Sequence, residues 1–262
     1  MALSIGEPTQ AGGHKPGLSQ TMTILRESQW NESRGCVNSH RYFGGTGKDG
    51  RSAPDLLHTA QSLQVLLSAG LPADDPYAQK AITFVARCQK VSQSSSPDAS
   101  TKHDDPEEGG FLVEPALKEA SGRGEVATKT KPNGVATCMG LTSLLGSGVA
   151  VEDVRIQRAL GWLRRHYSLD VHPGMSTTNQ GLYRYYYEFA RLMRMLGLDH
   201  FRDDQGVLHD WREELALRLS DRQQGDGSWV NPQESPEQAH SSPVMITTYA
   251  LLTLNQIRDS RK

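Results

Sequence analysis

Cysteine is scarce in this sequence. The three present, Cys36, Cys88 and Cys138, are too few and too scattered to form a disulfide framework. No apolar run approaches the roughly 18–20 residues that a bilayer-spanning helix needs, so no membrane span is expected. The opening stretch, 1–17, lacks the charged start and apolar core of a secretory leader and reads as a flexible lead. A cytoplasmic location is the resulting expectation. There is no basic block either. Lys and Arg number 28 against 30 Asp and Glu, and they are spread along helical stretches as a solvated face. A nucleic-acid partner is therefore not expected. Runs of period-two alternation rich in β-branched residues, the mark of strands, are missing as well.

What the sequence does have is helical periodicity. Tyr77, Ala81, Phe84, Val85 and Cys88 form one apolar stripe; Ile156, Ala159, Leu160, Leu163 and Tyr167 form a second. Tyr185, Phe189, Leu192, Met193 and Leu196 form a third, and Met245, Thr248, Tyr249 and Leu252 a fourth. Asp75-Pro76 places a capping carboxylate before a proline at the first helical position, and Asp153 and Asp210 stand similarly. Gly70, Gly148 and Gly197 each follow an apolar stretch, where a helix would stop. The pattern predicts helices over about 18–29, 54–69, 76–89, 135–147, 152–167, 179–196, 207–223 and 243–257. The fold class is all-α, with one domain over 18–257 and a short tail at 258–262. A long connection at 91–133 interrupts it. The polar, Pro- and Gly-containing stretch at 92–110 reads as a mobile or functional loop.

The segments repeat. Lys80–Gln89 and Arg158–Tyr167 share a basic residue, Ala, two spacers, an aromatic, an aliphatic, three spacers and a final polar or aromatic residue. Shorter versions end at Gln29 and Gln223, and the last continues as Gln223-Gln224-Gly225-Asp226-Gly227-Ser228-Trp229. A second register runs through the helices between these copies. Thr59, Leu63 and Gly70 match Thr137, Leu141 and Gly148 in spacing, and Thr247 with Leu251 repeats the first two positions. Aligned on Gly197, the corresponding residue of the remaining helix is Tyr186.

The Gln223-to-Trp229 ending resembles the QW motif of squalene–hopene cyclases and related terpenoid cyclases, which recurs loosely in protein prenyltransferases. Lys80–Gln89 is similar to the first half of that motif, while Gly109-Gly110-Phe111 and Gly174-Met175 stand where Gly-x-Trp would be. The resemblance covers about 18–257. It implies an α/α toroid, or an open arc of about eight helices, with an outer layer carrying the motif and an inner layer carrying Thr or Tyr. It also implies that Gln89, Gln223 and Trp229 tie neighbouring hairpins together. A closed ring in that family needs more helices than are read here, so the chain is expected to be either the C-terminal portion of a longer ring or one that closes by self-association or with a partner chain.

Chemistry is harder to find. Class II cyclases protonate an alkene with Asp-x-Asp-Asp, and no such motif occurs. Asp74-Asp75 is a helix cap, and Asp104-Asp105 and Asp203-Asp204 lie in polar loops. Prenyltransferases hold zinc with Asp, Cys and His, but Ile246-Thr247-Thr248-Tyr249-Ala250 has neither Cys nor His where the family does. His166, His172 and His209 are not spaced as helical ligand pairs. Gly44-Gly45-Thr46-Gly47 lacks the Lys-Ser/Thr of a phosphate loop and reads as a turn. No metal or cofactor is expected, and catalytic residues are unknown. The candidate inner-face residues for a ligand are His58, Thr59, Thr137, Tyr183, Tyr186, Tyr187, Glu188 and Thr247. Three functions stay open. The first is a binding or scaffold protein for an apolar small molecule or a protein partner. The others are a cyclase-like enzyme completed by a further portion or partner chain, and a polysaccharide-active enzyme.

Overall fold

A computed structural model describes residues 16–91, 105–116, 131–175, 179–232 and 242–259. Most of the N-terminal lead, the loop at 92–104 and 117–130, and the last residues of the tail lie outside the described residues. Among the described residues there are eight α-helices: α1 (Pro16–Glu27), α2 (Leu56–Ser68), α3 (Pro76–Arg87), α4 (Gly134–Gly146), α5 (Val154–Arg165), α6 (Leu182–Met195), α7 (Trp211–Arg222) and α8 (Pro243–Asp259). Between α6 and α7 lies one short antiparallel hairpin, β1 (Phe201–Arg202) with β2 (Leu208–His209). That pairing takes up the start of the helix expected from 207, and Asp210 then caps α7.

Side-chain caps set most of the helix starts. Asp55 accepts the His58 amide at 2.9 Å, Asp75 that of Tyr77 at 2.8 Å, and Asn133 that of Ala136 at 2.9 Å. Asp153 and Asp210 cap α5 and α7 in the same way, satisfying amides that have no intrahelical partner.

The helices alternate between two layers. α2, α4, α6 and α8 pack successively on one another, while α3 lies against α2 and α4, α5 against α4, and α7 against α6 and α8. Sequence explains the division. α4 (GVATCMGLTSLLG) is apolar or small on every side and is buried from Gly134 through Leu144. α5 buries one stripe, Ile156, Ala159, Leu160, Trp162 and Leu163, and turns its arginines outward. The core between the layers contains the fully buried Leu63, Phe84, Leu141, Trp162, Tyr185, Phe189 and Trp211. Burying one such side chain contributes roughly 1.5–3 kcal/mol.

Two glutamines join consecutive helices of the second set, α1 to α3 and α3 to α5; that set is termed outer, and α2, α4, α6 and α8 inner, as labels only. Gln29, just past α1, donates through Nε2 to the carbonyls of Gly44 at 3.1 Å and Tyr77 at 3.0 Å. Gln89, just past α3, donates to those of Gly109 at 3.0 Å and Arg155 at 2.8 Å. Tyr77 and Arg155 are each the second residue of the next outer helix. The glycine turns beside these glutamines also match. A Cβ on Gly44 would lie 1.9 Å from the Lys80 oxygen, and one on Gly109 2.3 Å from the Arg158 oxygen. Both glycines have φ near +90° (+86° and +90°), so a side chain is excluded by contact and by conformation.

Candidate functional site

The three inner-layer threonines hold the motif turns. Thr59 Oγ1 accepts the Thr46 N–H at 2.8 Å, Thr137 Oγ1 that of Phe111 at 3.0 Å, and Thr247 Oγ1 that of Trp229 at 3.1 Å. Thr46, Phe111 and Trp229 are therefore equivalent positions. The turn at Gly44-Gly45-Thr46 is a copy of the motif that sequence reading passes over, because the spacing from glutamine to glycine differs at each joint. The threonine hydroxyls are engaged with backbone and do not meet as one ligand site.

The other candidate residues are placed separately. His58 Nδ1 lies 2.6 Å from Asp55 Oδ2, within the α2 cap. The Tyr183 hydroxyl donates to the Val230 carbonyl at 3.3 Å; that of Tyr186 donates to the Leu169 carbonyl and accepts from Arg222 Nη1 at 2.9 Å. Both rings are buried on the outer-layer side of α6. Tyr187 is half-buried against Tyr249 of α8, with ring centroids 6.1 Å apart. Glu188 is buried, with Oε2 3.3 Å from Arg191 Nη1. Burial raises its pKa above the ordinary carboxylate value, and the positive charges of Arg191 and Arg184 only partly offset this. Of the motif residues, Gln89 is buried, Trp229 is buried with Nε1 donating to the Leu219 carbonyl at 2.8 Å, and Gln223 is exposed.

A cavity of about 260 Å³ opens where α2, α4 and α6 meet. Leu63, Leu67, Met139 and Met195 supply an apolar wall; Gln64, Thr142 and Arg191 supply polar groups. Arg184, Glu188, Arg191 and Met195 recur along one face of α6 at helical spacing. Arg184 donates through Nη2 to Met139 Sδ at 3.4 Å, and its buried Nε has no hydrogen-bond partner among the described residues. The cavity and these arginines were not singled out in the sequence. The visible signal was the charged row inside an otherwise apolar inner helix. Arginine at this row can hold an anionic or carbonyl group. Among the described residues no acid, histidine or cysteine lines the cavity.

The third joint departs from the first two. Tyr167 stands where the others have glutamine, and its hydroxyl donates to Glu214 Oε2 at 2.9 Å. Glu214 Oε1 lies 2.8 Å from His209 Nδ1, and His209 Nε2 lies 3.1 Å from Asp203 Oδ2. The turn at Gly174 sits elsewhere too, with its Cβ position 2.1 Å from the Pro132 oxygen at the start of α4. There His172 Nε2 accepts the Val135 N–H at 3.1 Å, while Nδ1 faces the Gln180 carbonyl. A second cavity, about 440 Å³, lies beside this joint among Asp170, Tyr183, Arg222, Gln224 and Asn231.

Among the described residues no group of three or more His, Cys, Asp or Glu could hold a metal ion, and no helix is long and apolar enough to cross a membrane. Compared with protein-family models, curated proteins and solved structures, the chain gives no match.

Proposed function

We propose that this chain is an arc of an α/α toroid that acts as a binding component, holding a small apolar, isoprenoid-like ligand against its inner layer. The observation that carries the reading is the cavity between α2, α4 and α6, with its aliphatic wall and, as the one charged group among the described residues that line it, Arg191. Its volume is near the lower end for small-molecule pockets, which favours a ligand of about ten carbons. An anionic or carbonyl head would meet Arg191, and the chain would lie on Leu63, Leu67 and Met139. A charge-assisted hydrogen bond of this type contributes about 1.5–3 kcal/mol, or roughly 10- to 100-fold in affinity.

Calorimetric titration with geranic acid and geraniol tests this. Geranic acid is expected to bind more tightly than geraniol, and Arg191→Gln is expected to remove the difference. Leu67→Trp should fill the cavity and abolish both. Absence of binding by either compound to the folded chain would overturn the reading.

The second cavity supports a different reading, in which the chain holds a sugar through Tyr183 and the polar groups around it. Polar groups are engaged in both cavities, Arg222 with Tyr186 here and Arg191 with Glu188 there, so this reading ranks below the first on the first cavity's aliphatic wall of Leu63, Leu67, Met139 and Met195. Saturation-transfer NMR with an oligosaccharide mixture separates the two readings.

A further inference from the structure

The α7–α8 edge is built like the internal joints, yet among the described residues nothing continues it. At the internal joints the glutamine after an outer helix donates into the first turn of the next one, at Tyr77 or Arg155. Gln223 holds the corresponding place after α7. It is exposed, and its amide turns back onto the Gly227 carbonyl at 3.0 Å. On α8 the core residues Ile246, Ala250, Thr253 and Ile257 follow helical spacing and leave Val244 and Leu251 on the far side, 75% and 53% exposed. An end repeat that stands alone carries a polar outer face; this one is mixed, with Val244 and Leu251 beside the exposed Thr248 and Asn255.

The other end of the chain has the complementary half. α1 begins at Pro16 as α3 begins at Pro76, so the Gly17 carbonyl is the counterpart of the Tyr77 and Arg155 acceptors. On α2 the core residues Leu63 and Leu66 leave Val65 facing away from them, 42% exposed.

We propose that the α7–α8 edge seats the α1–α2 edge of a second copy of this chain, head to tail, with α8 packed on the second copy's α2 and Gln223 donating into its α1. Each copy then uses two different surfaces, so the interface is heterologous. The joint repeats between copies what Gln29 and Gln89 do within one.

Sedimentation velocity from micromolar to hundred-micromolar concentration tests this with two edge variants, Leu251→Glu and Val65→Glu. The native chain is expected to associate. Each variant alone should be monomeric, with an unchanged circular dichroism spectrum. An equimolar mixture should form a heterodimer, because the Leu251→Glu chain keeps an intact α1–α2 edge and the Val65→Glu chain an intact α7–α8 edge. A native chain that stays monomeric would overturn the proposal, as would single variants that still associate. So would a mixture that stays monomeric. The cavity-filling Leu67→Trp variant should associate normally, which separates this proposal from the ligand reading.

Discussion

The Gln89 side chain bridges two outer helices: its amide, at the end of α3, donates to the carbonyl of Arg155 in the first turn of α5 at 2.8 Å. Gln29 makes the same bond to Tyr77 at 3.0 Å, whereas Gln223 has no such acceptor among the described residues. The three glutamines should therefore differ in worth. Gln89→Leu leaves two carbonyls without this donor and should destabilise by about 2–3 kcal/mol. At dilutions where the chain is monomeric, Gln223→Leu should stay within about 0.5 kcal/mol, as for other surface positions. Urea denaturation of both variants checks the contrast, and equal losses would contradict it.

The threonine ties predict a graded series. Thr137 is fully buried and accepts the Phe111 N–H, so Thr137→Val strands a buried donor at a cost of about 1–3 kcal/mol. Thr137→Ser keeps the hydroxyl and should recover most of that. Thr247 is only half-buried, and Thr247→Val should cost less. Thermal melts of the three variants would show the order.

Trp229 is 3% exposed and packs where Thr46 and Phe111 sit in the other copies. Trp229→Ala should destabilise by about 3–5 kcal/mol through lost burial and the cavity left behind. An unchanged melting temperature would remove its structural role.

Two histidines should give stability opposite pH slopes. Burial lowers the His172 pKa from 6.5 to about 4, and as a neutral ring it accepts the Val135 N–H. Below pH 6.5 the unfolded chain takes up a proton that the folded one refuses. Stability is thus full above 6.5 and falls as pH drops towards 4, by an amount on the order of 3 kcal/mol. His172→Gln should flatten this acid limb.

For His209 burial opposes the charge, but the hydrogen bonds it donates to Asp203 and Glu214, with their negative charge, outweigh it and raise the pKa above 6.5. Its contribution is present below 6.5 and is lost as pH rises through the raised folded value. His209→Asn should flatten the slope on that side. Melting temperature against pH for the native chain and both variants separates the two limbs.

Much of the fold was legible in the residues themselves. Helical spacing, the capping Asp75, Asp153 and Asp210, and the recurring threonines mark eight helices in two alternating registers, because these are local properties of chain geometry and hydrogen bonding. Only the tertiary structure decided what each polar group faces. Thr59, Thr137 and Thr247 recur in the sequence in a way that suits a ligand site or a backbone tie equally, and their partners arrive from loops of differing length. The grouping of Arg191 with Leu63 and Met139 depends on how three helices pack. Such packing brings together residues more than a hundred positions apart, and nothing in their local sequence encodes that distance.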